Sequence, residues 1–174
     1  YNRMEFFGGK IQKIRKDIEK YLSSKSLDED KAVSLALRMM DKYHFRVGNE
    51  RYKHENKSFG LTTLQPKHFT LVGDKAYVKF KGKKGVINEA TVDDPHLIWY
   101  IKKLKQYQSG GGRVSDGLFQ YVEDGETNVV TPELINDWLK YYGDISSKDF
   151  RTWGANSSLI EKLLKIREIP DSKT

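Results

Sequence analysis

Cysteine is absent from the 174 residues, so neither a disulfide framework nor a thiolate metal site is available. The four histidines, His44, His54, His68 and His96, are spread along the chain without ligand spacing, and no metal and no cofactor are expected. No apolar run approaches the ~20 residues that a membrane-spanning helix needs. The opening YNRMEFFGGK lacks the apolar stretch of a signal peptide, which points to an intracellular protein with no membrane partner. Tyr1 stands where an initiator methionine would, so the first residue is expected to be a boundary within a longer product.

What is present suffices for one folded, soluble domain with a real core, since 37% of the residues are hydrophobic. Lysine and arginine number 31 against 24 acidic residues, a formal net charge of +7. That balance favours an anionic partner, with nucleic acid the first candidate.

The apolar positions Ile11, Ile14, Ile18, Tyr21 and Leu22 fall on one helical face and predict a helix over 10–22. Ser26 and Glu29 read as a capping box for a second helix over 26–45, whose Met39 and Met40 belong to the core. From Gly60 short segments rich in Thr, Val, Phe and Tyr (LTTL, HFTLV, AYVKFK, VINEATV) predict a small antiparallel sheet over about 60–92. Helices follow over about 94–107, 131–142 and 147–168, the first two announced by Asp94-Pro95 and Thr131-Pro132-Glu133. SGGGRVSDG between them reads as a flexible loop, and the three tryptophans, Trp99, Trp138 and Trp153, as packing residues. The expected fold class is α+β, mainly helical, with a small antiparallel sheet or hairpin.

Residues 46–64, RVGNERYKHENKSFGLTTL, form a basic segment leaving the second helix. This resembles the signature of poxvirus and bacterial type IB DNA topoisomerases, in which an arginine is followed by Gly, Tyr, Glu-Asn and a Gly-Leu-x-Thr-Leu strand. The matching positions are Arg46, Gly48, Tyr52, Glu55, Asn56, Gly60, Leu61, Thr63 and Leu64. Two further stations occur in order: VKFKGKKG resembles the strand-turn segment whose lysine after glycine is catalytic, here Lys83, and SKDFRTWGAN resembles the segment carrying the second catalytic arginine, here Arg151. LFQY, Leu118 to Tyr121, is similar to a strand element of the bacterial members.

The resemblance implies a fold like that of DNA breaking-rejoining enzymes and relaxation of supercoils through a transient 3′-phosphotyrosyl bond, without ATP or metal. The chemistry suits these residue types. Attack on a phosphodiester builds charge on nonbridging oxygens, and guanidinium forks such as Arg46 and Arg151 can hold them without changing protonation. The departing 5′-oxygen needs a proton, which Lys83 on a hairpin can deliver if nearby cations lower its pKa. Lys84 is the alternative, because hairpin registers slip by one residue easily. Arg51, Tyr52, Lys53, Lys57, Thr63, Lys81, Lys84 and Lys148 are expected to touch the DNA backbone. Without the resemblance, Arg46 reads as a helix-end residue facing the dipole, the lysines near 75–84 as edge-strand lysines, and Arg151 as an ion-pair partner of Asp149.

After Arg151 the sequence holds no tyrosine and no histidine. By the resemblance, both the nucleophile and the catalytic histidine belong there, so the 174 residues are expected to be a catalytic-domain core lacking the C-terminal tyrosine segment and the N-terminal clamp lobe, inactive alone. The expected partner is double-stranded DNA, and the expected state a monomer. A tyrosine recombinase, a DNA-binding module without a nucleophile, and an unrelated basic scaffold binding RNA or protein stand as alternatives.

Overall fold

The computed structural model describes residues 2–168, apart from the side chains of Asn2, Glu50, Tyr52, Arg167 and Glu168. Helix α1 (Asn2–Leu22) buries Phe7, Ile11, Ile14, Ile18 and Leu22 to 2% exposure or less. It begins eight residues before the predicted start at Lys10, running through Gly8-Gly9, a pair that local propensity alone penalises by ~2 kcal/mol. Tertiary contacts offset that cost. Phe7 meets Phe150 edge-on at 5.0 Å and Trp153 at 5.7 Å, Arg3 grips Asp149 at 2.7 and 2.9 Å, and a Cβ on Gly8 would stand 2.9 Å from the Trp153 ring.

Helix α2 (Glu29–Tyr43) lies against α1 and carries the densest part of the core, Ala32 to Leu37 with Met39 and Met40. Its N-cap is Asp28, whose carboxylate accepts the Lys31 amide at 2.8 Å, rather than the expected Ser26. The Ser26 hydroxyl instead donates to Asp28 at 2.6 Å, holding the acid in its capping position. Lys31 is 2% exposed; its ammonium donates to the carbonyls of Leu22 (3.0 Å) and Ser24 and lies 3.9 Å over the Trp99 ring, closing the C-terminus of α1.

A short helix α3 (Glu50–Asn56) interrupts the segment that was expected to run straight into a strand. LTTL is not a strand either. Leu61–Thr63 form a 3₁₀ turn in which Leu61 and Leu64 are both buried, a pairing that a period of three allows and strand alternation forbids.

The sheet begins only at Phe69. It consists of β1 (Phe69–Val72), β2 (Lys75–Lys81) and β3 (Ile87–Val92), antiparallel, with β2 central. On β2, Ala76, Val78 and Phe80 face the core while Lys75, Tyr77, Lys79 and Lys81 face outward, so alternation fixes the register Phe80↔Asn88 and Lys81↔Ile87.

Helix α4 (Pro95–Ser109) is capped by Asp94, which accepts the His96 amide at 2.9 Å and pairs with Arg38 at 3.2 Å, tying α4 to α2. LFQY leads into β4 (Gln120–Glu123), which pairs with an unanticipated β5 (Glu126–Val129) across Asp124-Gly125. Both turn residues have positive φ (53° and 80°), the geometry of an Asp-Gly hairpin turn. Helices α5 (Pro132–Lys140), capped by Thr131, and α6 (Ser147–Glu168) complete the fold, and α6 contacts α1, α2 and α5. No described helix is long and apolar enough to cross a membrane.

Candidate functional site

The site begins where α2 stops. His44 adopts left-handed φ/ψ (58°, 29°), donates its amide to Met40 O at 2.9 Å and turns the chain outward, so Arg46 emerges two residues later on the surface. The outgoing strand of chain then crosses the incoming one. Leu61 N donates to Arg46 O and Thr62 N to Val47 O, each at 2.8 Å. The crossing requires both glycines: a Cβ on Gly60 would lie 2.3 Å from Gly48 Cα and 2.8 Å from Arg46 O, and Gly48 has φ 95°.

Lys83 comes from the β2–β3 turn. Gly82 N donates to Val86 O at 2.7 Å, and Lys84 and Gly85 both take positive φ, which brings the turn round over Phe59. Phe59 N in turn donates to Lys81 O at 2.9 Å, so the 46–60 crossing and the hairpin are joined by backbone. Arg151 comes from the second turn of α6. The three meet in a cleft of about 350 Å³ lined by Arg46, Gly48, Asn49, Ser58, Phe59, Lys83, Ser147, Lys148 and Arg151, among others. A neighbouring hollow repeats Arg46, Lys83 and Arg151 and adds Lys84, and a third, outer one holds Lys81, Lys83 and Lys84.

Six cations thus edge one concave surface, and among the described residues no acidic one lines any of its three parts. Arg151 makes no ion pair among the described residues; Asp149, its possible partner by sequence, is taken by Arg3. Desolvation, and then the charge of Arg46, hold the Arg151 guanidinium below the ordinary arginine pKa. Two guanidinium groups and an ammonium that line one cleft, with no carboxylate beside them among the described residues, are arranged to accept an anion. The first turn of α6, with Ser147 and Lys148 in the lining, adds the positive end of a helix dipole. Among the described residues no group of three or more His, Asp or Glu side chains is placed to hold a metal ion.

Of the other expected contacts, Lys81, Lys84 and Lys148 line this surface. Arg51 does not; it pairs with Glu55 at 3.1 Å on the exposed side of α3. Lys53 and Lys57, on and just after α3, also lie outside the lining, and the Tyr52 side chain lies outside the described residues. Thr63 is a correction. It is 2% exposed, and its hydroxyl accepts from Gly60 N at 2.9 Å and donates to Gly60 O at 3.1 Å, leaving nothing to offer DNA. Sequence reasoning missed Asn49, Ser58, Phe59 and Ser147 as lining residues; only the nearness of the first three to Arg46 could have suggested them.

Phe59 is braced by His68, whose ring lies 4.5 Å away edge-on and whose Nδ1 accepts the Gln65 amide at 2.9 Å. That contact needs Nδ1 unprotonated. Burial, and then the charge of Lys67, push the His68 pKa below its ordinary 6.5. A folded-state pKa below the unfolded value means that the unfolded chain binds the proton more readily, so this contribution is complete above pH 6.5 and is lost as pH falls through and below it. Burial pushes His96 down as well, in the same sense. The melting temperature should therefore fall between pH 7 and pH 5, less steeply in His68→Asn than in the parent. An equal slope in both would remove His68 from the account.

Comparison with known proteins agrees with this architecture. Residues 1–174 match the family described as eukaryotic DNA topoisomerase I, catalytic core. The chain is 31% identical over 171 residues to DNA topoisomerase 1B of Acanthamoeba polyphaga mimivirus, covering 94% of this chain and 49% of that protein. It is 26% identical over 151 residues to DNA topoisomerase 1B of vaccinia virus (strain Copenhagen), covering 86% and 44%. The chain thus spans about half the length of these relatives. In fold it is similar to the XerH site-specific recombinase solved in a pre-cleavage complex with difH substrate, at a TM-score of 0.55 and 16% identity over 87% of this chain and 42% of that one. Since the family match runs the whole length and takes in the crossing, the hairpin and the helix that build the cleft, this chain belongs to the catalytic-core family of type IB DNA topoisomerases.

Proposed function

We propose that this chain supplies the phosphate-binding part of a DNA strand-cleaving site, in a protein that nicks one strand of duplex DNA and reseals it to relax supercoils. The observation that carries the reading is the cleft in which Arg46, Lys83 and Arg151 converge with no acidic side chain among the described lining residues. Arg46 and Arg151 hold the nonbridging oxygens of the scissile phosphate, and their forks strengthen as charge builds there. A tyrosine hydroxyl gives up its proton to solvent as its oxygen attacks phosphorus, the bond from phosphorus to the 5′-oxygen breaks, and Lys83 gives that oxygen its proton. Resealing runs the same steps backward, with Lys83 taking the proton from the 5′-hydroxyl. Lys83 suits this role better than Lys84 because it lines all three parts of the surface, whereas Lys84 is confined to the outer two.

No tyrosine lines the cleft among the described residues, so the attacking hydroxyl comes from polypeptide outside them. Lys81, Lys84 and Lys148 extend the cationic surface to flanking phosphates. The partner is double-stranded DNA, the working form a monomer, and the compartment intracellular. No ATP is consumed, because the phosphotyrosyl bond stores the energy of the broken phosphodiester.

Binding to a labelled duplex across a salt series tests the phosphate grip. Five or so phosphates neutralised give a slope of log K against log salt of about −4 to −5, and each of Lys83→Ala and Lys148→Ala reduces it by about 1. Lys105→Ala, on the exposed face of α4, leaves the slope as it is. A slope that Lys83→Ala and Lys148→Ala leave unchanged would remove DNA from the cleft.

A further inference from the structure

His44 sits between the two arginines without lining the cleft, and three features of it converge on α6. Its backbone carbonyl accepts Arg151 Nη1 at 3.3 Å. Its imidazole fills the notch over Gly154, one helical turn beyond Arg151, so closely that a Cβ on Gly154 would stand 2.2 Å from Nδ1 and 2.3 Å from Cε1. That Nδ1 is buried and makes no hydrogen bond among the described residues, so the ring is held there by shape and not by a polar partner. On the other side, the left-handed turn of His44 (φ 58°) sends the chain to Arg46. Leu, Val or Ile at this place would be strained, whereas glycine, asparagine and histidine are tolerated.

We infer that His44 is a positioning residue: its carbonyl and its ring, wedged on Gly154, set how far the Arg151 fork reaches toward the anion held with Arg46. This inference rests on the proposed phosphate role of Arg151. An arginine on a solvent-facing helix turn explores many rotamers, and a fork pays for each one it must give up on binding. One donor fixed on His44 leaves the remaining N–H groups aimed as a set. With the His44 ring seated directly on Gly154, the fit of ring to glycine is also the setting of the reach.

Glycine at both 44 and 154 separates positioning from folding, because His44→Gly keeps the left-handed cap while emptying the notch. Affinity for a fluorescein-labelled duplex is measured at fixed salt in the parent, Gly154→Ala, Arg151→Ala, the Gly154→Ala/Arg151→Ala pair and the His44→Gly/Gly154→Ala pair, each checked for its melting temperature. Arg151→Ala weakens binding about tenfold, the loss of one charged contact. Gly154→Ala, which drives the ring off its seat, weakens it about fivefold in the parent and leaves the Arg151→Ala protein unchanged; adding His44→Gly makes room for the new methyl group but removes the ring itself, so affinity stays about fivefold below the parent, and a return to parental affinity would show that the ring sets nothing. If Gly154→Ala does not fold, His44→Gly alone carries the same comparison, lowering affinity only where Arg151 is present. A loss from Gly154→Ala, or from His44→Gly, that is equal with and without Arg151 overturns the positioning role and leaves the phosphate role standing. An Arg151→Ala protein that binds as tightly as the parent overturns the phosphate role itself, and the positioning role with it.

Discussion

Replacing Arg151 by lysine in the full-length protein should slow strand cleavage by about 10²–10³-fold, the usual cost of losing one preorganised donor to developing negative charge. Duplex affinity should change little, because the count of neutralised phosphates is the same. The two residues carry equal charge but differ in geometry. Guanidinium offers a planar fork whose donors, spread over three nitrogens, can serve His44 O and a phosphate oxygen together, whereas an ammonium carries its three donors on one freely rotating nitrogen and holds neither partner in a fixed plane. Single-turnover formation of the covalent protein–DNA adduct, beside equilibrium binding of the same duplex, separates the two effects. Cleavage within about threefold of the parent would show that charge alone suffices and that the fork geometry of the cleft is incidental.

The second large effect is on stability. Gly60→Ala places a methyl group 2.3 Å from Gly48 Cα and 2.4 Å from Gly48 N, contacts with backbone that no side-chain rotation relieves. The crossing must open, breaking the 2.8 Å bonds from Leu61 and Thr62 to Arg46 and Val47. A cost of about 3–4 kcal/mol follows from overpacking together with two lost backbone hydrogen bonds, equivalent to roughly 10 °C in melting temperature for a domain of this size. Since the crossing carries Arg46, duplex binding should weaken beyond what residual unfolding explains. Calorimetric unfolding decides the matter: a melting temperature within about 2 °C of the parent would mean that the two strands of chain can separate cheaply, and that Arg46 is not held by them.

The comparison of sequence with structure divides along physical lines. Arg46, Lys83 and Arg151 could be picked out because side-chain chemistry tied to glycine and threonine at fixed spacing is written in one dimension. That the three side chains share a cleft is a matter of three dimensions, since Lys83 and Arg151 lie 68 positions apart and are brought together by the sheet and by the packing of α6 on α2. Thr63 illustrates the limit. Its residue type suits a phosphate contact, but in the 3₁₀ turn its hydroxyl closes on the backbone of Gly60 and is buried. The Gly8-Gly9 pair illustrates the opposite case, in which local propensity argued for a helix end and the Trp153 ring on the far helix overruled it.

From residues alone came the helical periodicity of α1 and α2, the Asp94-Pro95 start of α4, the strand character of β2, the basic charge, and the order of the three motif stations, because each depends on near neighbours in the chain. Tertiary structure alone decided where α1 begins, that LTTL turns instead of extending, that Asp149 belongs to Arg3 and so leaves Arg151 without an ion pair among the described residues, and that the His44 ring sits on Gly154 of α6. Those outcomes are settled by contacts between residues far apart in sequence, whose energies exceed the local preferences they override.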